Sequence, residues 1–232
     1  MLKKTFMFVL AIVFVVSARD GQGAINFVVG IPQGDFQKSI NHNGFGLGGH
    51  IAYHPHPAFA IGLAGTFLGY GSESRYEPFS TTIPDVTVEV TRTNNIAQLF
   101  LMLQAGIPIE VVKPYIEGRV GFNYLWTETT IKDIQGEEDV ASSTNFDDLA
   151  FSYGGGGGIM FRVWHRRGGA RRAHGKVYAV HIDAKALYIL GGEAEYLKEG
   201  SIIIHDDATV EYIVSKSTTD LLDVHFGVVL EF

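Results

Sequence analysis

Two histidine–carboxylate pairs are the clearest candidates for acid–base chemistry in this sequence. His181 stands two residues before Asp183, and Asp223 stands two residues before His225. An imidazole beside a carboxylate can transfer a proton, and a serine in reach would complete a nucleophilic triad. No serine is placed by the sequence to do so, whereas a structural charge network uses the same residue types. We therefore predict a structural network and keep catalysis as the alternative.

Three further motifs resemble ligand sites. His54 and His56 supply two metal ligands in a short turn, which is too few for a zinc site, so we expect solvated turn residues. Residues 44–49 match GxGxxG, but an alternating strand follows instead of the helix that would hold a pyrophosphate. The glycine run 154–158 lacks the Lys and Ser/Thr of a P-loop. We expect it to relieve crowding in a narrow barrel or to let a large neighbour pack across the strand. We predict no metal and no cofactor.

Two charged segments could contact a partner. The first is basic, and we expect a solvated turn, with contact to anionic headgroups or a cell-wall polymer as the alternative. The second, residues 133–148, is acidic but lacks the carboxylate spacing of an EF-hand, so we assign it no cation. The basic segment contains Arg166, Arg167, Arg171, Arg172 and Lys176.

The composition is that of a glycine-rich and aromatic-rich β protein. Of 232 residues, 46% are hydrophobic, 19% are charged and 28 are Gly. Such an apolar chain collapses instead of remaining disordered, and glycine costs a helix interior roughly 1 kcal/mol per residue. The absence of cysteine excludes disulfides, thiolate metal sites and cysteine nucleophiles. A net charge of -7 argues against nucleic-acid binding.

The N-terminus has the three parts of a secretory signal peptide. Lys3 and Lys4 precede an apolar run over residues 5–18, and small residues follow. We predict a signal peptide within residues 1–24, cut after Ala18 or after Ala24. A single β-barrel domain over residues 25–232 then forms the mature protein.

Period-two alternation predicts eight strands in that domain. The last strand is the clearest, with Val224 and Phe226 on one face and Asp223 and His225 on the other. Around Asn94 and Asn95 the alternation slips, which predicts a β-bulge. Charged residues recur on one face of the later strands and form a predicted luminal network: Glu117, Arg119, Arg162, His181, Asp183, Lys185, Asp223, His225 and Glu231.

The connections between these strands alternate in length. Short ones lie around residues 54–57, 106–112 and 165–175, and long ones over residues 33–44, 69–85, 127–149 and 191–219. Short periplasmic turns opposite long outer loops are typical of a transmembrane barrel. The fourth long connection has apolar runs around residues 205–207 and predicts a hairpin beyond the membrane. If that hairpin lay within the membrane, the barrel would have ten strands.

Either lipid or a protein core could cover the apolar face of these strands. A soluble periplasmic barrel with an apolar ligand would turn the charges to water, whereas a membrane barrel turns them into the lumen. Aromatic residues near strand ends favour the membrane, because they form girdles at both interfaces. They are Tyr53, Tyr70, Tyr124, Trp126, Tyr188 and Phe232.

The sequence resembles small outer-membrane β-barrel proteins of the OmpA/OmpX type. Residues 30–36 leading to residues 44–50 resemble the first hairpin of that family, and Lys113-Pro114-Tyr115 opens a strand similar to its central one. The C-terminal strand resembles the signal read by the outer-membrane insertion machinery, through Phe226, Val228, Leu230 and Phe232. The resemblance implies an eight-stranded antiparallel up-and-down barrel. Because the family includes adhesins, small channels and lipid-modifying enzymes, it implies no single activity.

These observations predict a multi-pass β-barrel of the bacterial outer membrane. We expect a non-enzymatic monomer with a charge-filled lumen and four long surface loops, in a structural or surface-interaction role. Its partners would be membrane lipid, the insertion machinery and a surface partner, with no nucleic acid. The alternatives are a deacylase-like lipid-modifying enzyme and a small narrow channel.

Overall fold

A computed structural model of the chain describes residues 20–40, 42–80, 83–133, 139–166, 177–204 and 210–232. The predicted signal peptide falls, up to residue 19, outside the described residues. Within the described residues, no helix has the length and hydropathy needed to cross a membrane.

Ten strands and one short helix make up the fold. Eight strands close into an antiparallel barrel in the order β1-β10-β7-β6-β5-β4-β3-β2, and β8 and β9 form a separate two-stranded sheet. The eight-stranded barrel is confirmed, and the fourth long connection is a hairpin outside it. The elements are β1 (Gly21–Pro32), α1 (Gly34–Ser39), β2 (Gly44–His56), β3 (Phe59–Ser80), β4 (Ile83–Gly106), β5 (Val112–Asp133), β6 (Asp139–His165), β7 (Ala179–Gly191), β8 (Glu193–Ile204), β9 (Val210–Thr218) and β10 (Leu221–Glu231).

The barrel is apolar outside and polar inside. In β10, Phe226 is 61% exposed on the outer face, while Asp223 is fully buried on the inner face. The same alternation runs along β7, where Asp183 and Lys185 are buried and the residues beside them are exposed or half-buried. A soluble barrel has the opposite distribution, since its apolar face fills a dry interior. This exterior is the one that a barrel in lipid requires.

The beginning of β1 and the C-terminal residue Phe232 lie at one rim of the barrel, called here the terminal rim. The backbone N–H of Phe232 donates to the carbonyl of Gly21 at 2.9 Å. The three connections predicted to be short lie at this rim, and those predicted to be long lie at the opposite rim, called here the loop rim. Their lengths do not all follow the prediction, because only residues 81–82 separate β3 from β4 at the loop rim, whereas residues 166–178 separate β6 from β7 at the terminal rim.

Two of the predicted long loops are continuous strands instead. Strands β3 and β4 remain paired as far as Ser80 and Ile83, and β5 and β6 as far as Lys132 and Asp139. Strand β4 also pairs with β5 as far as Val88. These segments are rich in Thr and Val, which favour strand geometry, so the ladders continue past the rim. The result is a four-stranded sheet, called here the outer sheet, that projects beyond the loop rim.

The bulge predicted in the strand around Asn94 and Asn95 is not in β4, which pairs with β5 without a break there, but in its partner strand β3. Gly69 pairs with Asn95 and Ser72 pairs with Thr93, so two residues of β3 stand opposite one of β4. One of the two is Gly71, whose φ of 100° strongly favours glycine. The bulge lies where β3 leaves the closed barrel.

Candidate functional site

An ion cluster lies at the middle of the lumen. Strand β5 points Glu117 and Arg119 inward, and β7 brings Lys185 against them. Arg119 Nε donates to Glu117 Oε1 at 2.7 Å, and Lys185 Nζ donates to Glu117 Oε2 at 2.9 Å. All three side chains are buried, and the Arg119 guanidinium also lies over the Phe100 ring at 5.8 Å. One carboxylate therefore bridges two buried cations.

The ion cluster depends on space provided by the glycine run. The Tyr115 hydroxyl donates to Asp183 Oδ1 at 2.6 Å, and its ring crosses Gly158 of β6. A Cβ on Gly158 would stand 2.6 Å from the Tyr115 ring and equally close to Lys185 Cβ. At this position the glycine run does what the sequence predicts, because it lets a large neighbour pack across the strand.

A second polar layer lies near the terminal rim. Lys113 Nζ donates to Glu231 Oε1 at 2.6 Å, and His181 Nε2 lies 3.2 Å from Glu231 Oε2. The Gln22 amide nitrogen lies 3.0 Å from His50 Nε2 and donates to Gln104 Oε1 at 3.1 Å. Strand β1 thus ties this layer to β2 and β4.

The two turn histidines differ from each other. His54 Nε2 lies 2.9 Å from Gln22 Oε1, so this ring belongs to the luminal layer, and its prediction as a solvated turn residue is wrong. His56 is exposed, and its Nδ1 accepts from the Ala58 N–H at 3.2 Å, as a turn residue would. The difference arises because His54 occupies an inward position of β2.

Neither predicted histidine–carboxylate pair forms a hydrogen bond within the described residues. The two members of each pair share a strand face, as Glu117 and Arg119 do, but they do not bond to each other. His181 contacts Glu231, and Asp183 accepts from Tyr115. Asp223 and His225 are both buried in the lumen.

Arg162 is the one predicted network member that is not buried in the lumen. Its guanidinium lies at the terminal rim, 3.5 Å from Glu110, and is partly exposed. Its pairing partner in β7 is His181, near the end of β7 at that rim. The inward positions of β6 nearer the ion cluster are glycines, so β6 sends no charge into the middle of the lumen.

An apolar plug, which sequence reasoning missed, fills the lumen at the loop rim. Helix α1 inserts Phe36, which is fully buried, with its ring 5.8 Å from that of Tyr70 and 5.5 Å from that of Tyr196. Tyr70 thus faces the plug, and its prediction as a girdle residue is wrong. The other members are Val28, Leu68, Ile96, Leu125, Ala150, Ala194 and Leu221, with Ile40 packed against them.

At the terminal rim the lumen opens into a cavity of about 560 Å³. Lys113, Glu231 and Tyr115 line its inner end, and Arg162 and Arg166 lie at its mouth. Within the described residues, no group of three or more His, Cys, Asp or Glu side chains could hold a metal ion. No hydrogen bond in that part of the chain joins a serine hydroxyl to a histidine ring.

The remaining sequence motifs lie at the two rims. Residues 167–176 of the basic segment fall outside the described residues, while Arg166 is exposed. In the acidic segment, Asp148 accepts the Glu195 N–H at 2.8 Å and Asp147 accepts from Tyr124 at 3.0 Å. The outward members of the C-terminal strand are Phe226 and Val228, which are exposed, and Leu230 and Phe232, which are half-buried.

A scan against protein-family models finds no match, and a search of curated proteins finds none either. Several solved structures align along nearly the whole chain. Neisserial surface protein A is 12% identical with a TM-score of 0.38, over 91% of this chain and 94% of that one. Ail, the attachment invasion locus protein of Yersinia pestis, solved with a heparin analogue, is 14% identical with a TM-score of 0.35, over 92% and 97%.

The outer membrane protein AlkL, solved by solid-state NMR in lipid bilayers, is 16% identical with a TM-score of 0.34, over 93% of this chain and 91% of that one. These three are small outer-membrane β-barrels. Identities this low concern architecture and carry no activity to this chain. The closed eight-stranded barrel described above has the fold that the resemblance of the sequence to small outer-membrane β-barrel proteins implies.

Proposed function

We propose that this chain is a closed, non-enzymatic barrel of the bacterial outer membrane that holds the outer sheet at the cell surface for contact with a partner. The terminal rim would face the periplasm, and the loop rim would face outward. The proposal depends on one observation, a barrel sealed inside that continues as paired strands beyond one rim.

The exterior supports the membrane placement. The strands β1, β7 and β10 contain 12, 13 and 11 residues, and a tilted strand needs about 9–11 to cross the hydrocarbon core. Tyr53 and Tyr188 are exposed near strand ends and Tyr124 is exposed near the loop rim, as interfacial girdles require. Extraction from washed membranes without detergent would contradict this placement.

The interior supports a closed lumen. The ion cluster and the apolar plug lie at different depths, so a solute would have to displace both to cross. Breaking the ion cluster leaves buried charge without a partner, which costs several kcal/mol. We expect no stable openings in planar bilayers, and large solute-selective conductance would overturn the closed barrel and favour the narrow channel.

The outer sheet supports a surface role. Beyond Gly71 the described residues place β4 on one side of β3 and no strand on the other, so one backbone edge is open. The unpaired backbone N–H and C=O groups of that edge can pair with another chain. Such an edge suits contact with a polypeptide or glycan at the cell surface.

The experiment shortens the outer sheet without touching the barrel. Residues 72–93 are replaced by a tight turn, and a matched variant shortens residues 128–144. We expect both variants to keep the heat-dependent gel mobility of a folded barrel. We expect intact cells that carry the first variant to lose binding to a library of candidate polypeptide and glycan partners. Unchanged binding in both variants would contradict the proposed role of the outer sheet.

We also propose that the signal peptide is cut after Ala18. The side chain of Gln22 binds His50, His54 and Gln104 in the lumen, and a cut after Ala24 would remove it. N-terminal sequencing of the mature protein should begin at Arg19, and a start at Ile25 would refute this site.

A further inference from the structure

The terminal rim is apolar on one side of the barrel. The connection between β4 and β5 exposes three branched aliphatic residues within five positions, although it is short. Beside it, the end of β6 exposes an aliphatic and an indole side chain. Together these residues form the rim patch: Ile107 at 59% exposure, Ile109 at 49%, Val111 at 57%, Val163 at 57% and Trp164 at 46%.

A bulge in β6 builds the rim patch. Arg162 pairs with His181, but Trp164 pairs with Val180, so β6 has one extra residue at this point. Because alternate residues face opposite sides, one extra residue reverses the face of everything after it. Without the bulge Trp164 would follow Arg162 into the lumen, and with it Val163 and Trp164 are both exposed.

The backbone joins the two parts of the rim patch. The Arg162 N–H donates to the Val111 carbonyl at 2.9 Å, so the β4–β5 connection lies against the end of β6. The neighbouring short connection, His54 to Ala58, accepts the Gly106 N–H at the Ala58 carbonyl, and it has two prolines and two histidines and no exposed aliphatic residue. The apolar exterior therefore extends further toward the terminal rim on the β4–β6 side.

Two arginine side chains border the rim patch. Arg166 is exposed and has no ion-pair partner within the described residues. Arg162 pairs with Glu110 at 3.5 Å, and the Glu110 side chain is 87% exposed. Indole and arginine side chains beside aliphatic ones favour the boundary between acyl chains and headgroups. The excess of cations complements anionic headgroups.

We propose that the rim patch docks into the headgroup boundary of the inner leaflet and that it selects anionic phospholipid there. The occupant is lipid because the rim patch continues the apolar exterior of β4, β5 and β6. This inference rests on the membrane placement proposed above.

The test uses the two tryptophans of the chain. W126F leaves Trp164 as the sole reporter at the terminal rim, and W164F leaves Trp126 near the loop rim as the matched control. Each full-length variant is inserted into phosphatidylcholine vesicles that contain phosphatidylglycerol, with bromine on the chains of one lipid or the other. The quenching of tryptophan fluorescence by each brominated lipid measures how strongly that lipid is preferred next to the tryptophan.

We expect brominated phosphatidylglycerol to quench Trp164 more than brominated phosphatidylcholine does, and Trp126 to show a smaller difference. Adding R166Q should reduce the preference at Trp164 about fivefold, since each cation near an anionic surface contributes about a factor of that size. Adding I109S and V111S should shift Trp164 emission to longer wavelength and weaken both quenchers. The emission and the quenching of Trp126 should not change in either case.

Two results would overturn the proposal. In the first, Trp126 is quenched by lipid while Trp164 is quenched by aqueous acrylamide alone, so that the barrel inserts but the rim patch stays in water. In the second, Trp164 is shielded from both quenchers and crosslinks to a protein. If neither tryptophan is quenched by lipid, the membrane placement itself is wrong. A gel mobility that is the same with and without heating would identify that case.

Discussion

The ion cluster and the apolar plug are the two seals of the lumen, and they differ in chemistry, since one consists of charged side chains and the other of apolar ones. The ion cluster of Glu117, Arg119 and Lys185 belongs to barrel strands, and each member is held by the hydrogen-bond ladder of its own strand. The apolar plug depends on Phe36, which a six-residue helix inserts from a connection. The ion cluster is thus formed by barrel strands alone, whereas the plug is completed by a side chain that enters from outside the barrel wall. The two seals should fail in different ways.

The largest effect is expected from breaking the ion cluster. Glu117→Ala leaves Arg119 and Lys185 buried without their shared carboxylate, and removing one partner of a buried pair costs about 3–5 kcal/mol. Urea unfolding in lipid vesicles measures the loss. Replacing Glu117, Arg119 and Lys185 together by Leu, Met and Met is the control, because it leaves no unpaired charge and should recover most of the stability. A single variant as stable as the parent would show that the cluster is solvated.

The ion cluster could be predicted from the sequence because charges are rare on these strands. Glu117 and Arg119 contrast with their exposed apolar neighbours Ile116 and Val120, so period-two alternation assigns the faces. The partners could not be predicted, since strand register decides that Glu117 meets Lys185 and that His181 meets Glu231. Sequence spacing alone suggested His181 with Asp183.

The plug left no comparable signal. Toward the loop rim the inward side chains Leu68, Ile96 and Leu125 are as apolar as the outward ones, so the alternation loses its contrast. Phe36 stands alone in a polar connection, where a single aromatic residue is usual on a surface. Period-two alternation identifies strands with a polar inner face. It cannot identify an apolar side chain that a connection inserts into the lumen.

The next effect concerns the space in which the ion cluster forms. Gly158→Ala would place a methyl group 2.6 Å from both the Tyr115 ring and Lys185 Cβ, and overpacking of this kind costs about 1–3 kcal/mol. Gly118→Ala is the matched control, because a Cβ at Gly118 has no atom within 4 Å. Urea midpoints should fall for the first variant and stay near the parent value for the second. Equal midpoints would show that the Tyr115 ring moves aside freely.

A smaller global effect is expected from removing the plug. Phe36→Ala deletes a buried ring, yet the ring joins α1 to the barrel and is not part of the barrel itself. We expect unfolding of the barrel to change by less than about 1.5 kcal/mol, below the range for an aromatic residue in a protein core. Hydrogen exchange should nevertheless accelerate in α1 and at the ends of β8 and β9. A loss of about 3–5 kcal/mol in the free energy of unfolding would instead make the plug an integral part of the core.

The smallest effect expected is the interaction between the two seals. Phe36 and Glu117 share no hydrogen-bond partner and no ring contact among the described residues, so their separate losses should add to within about 0.5 kcal/mol. The double variant F36A/E117A completes the cycle in the same urea measurement. A coupling energy of 1 kcal/mol or more would mean that the polar and apolar parts of the lumen share an arrangement that one seal imposes on the other. Additive losses would mean that the plug and the ion cluster close the lumen independently. The ion cluster would then keep the lumen closed when the plug opens.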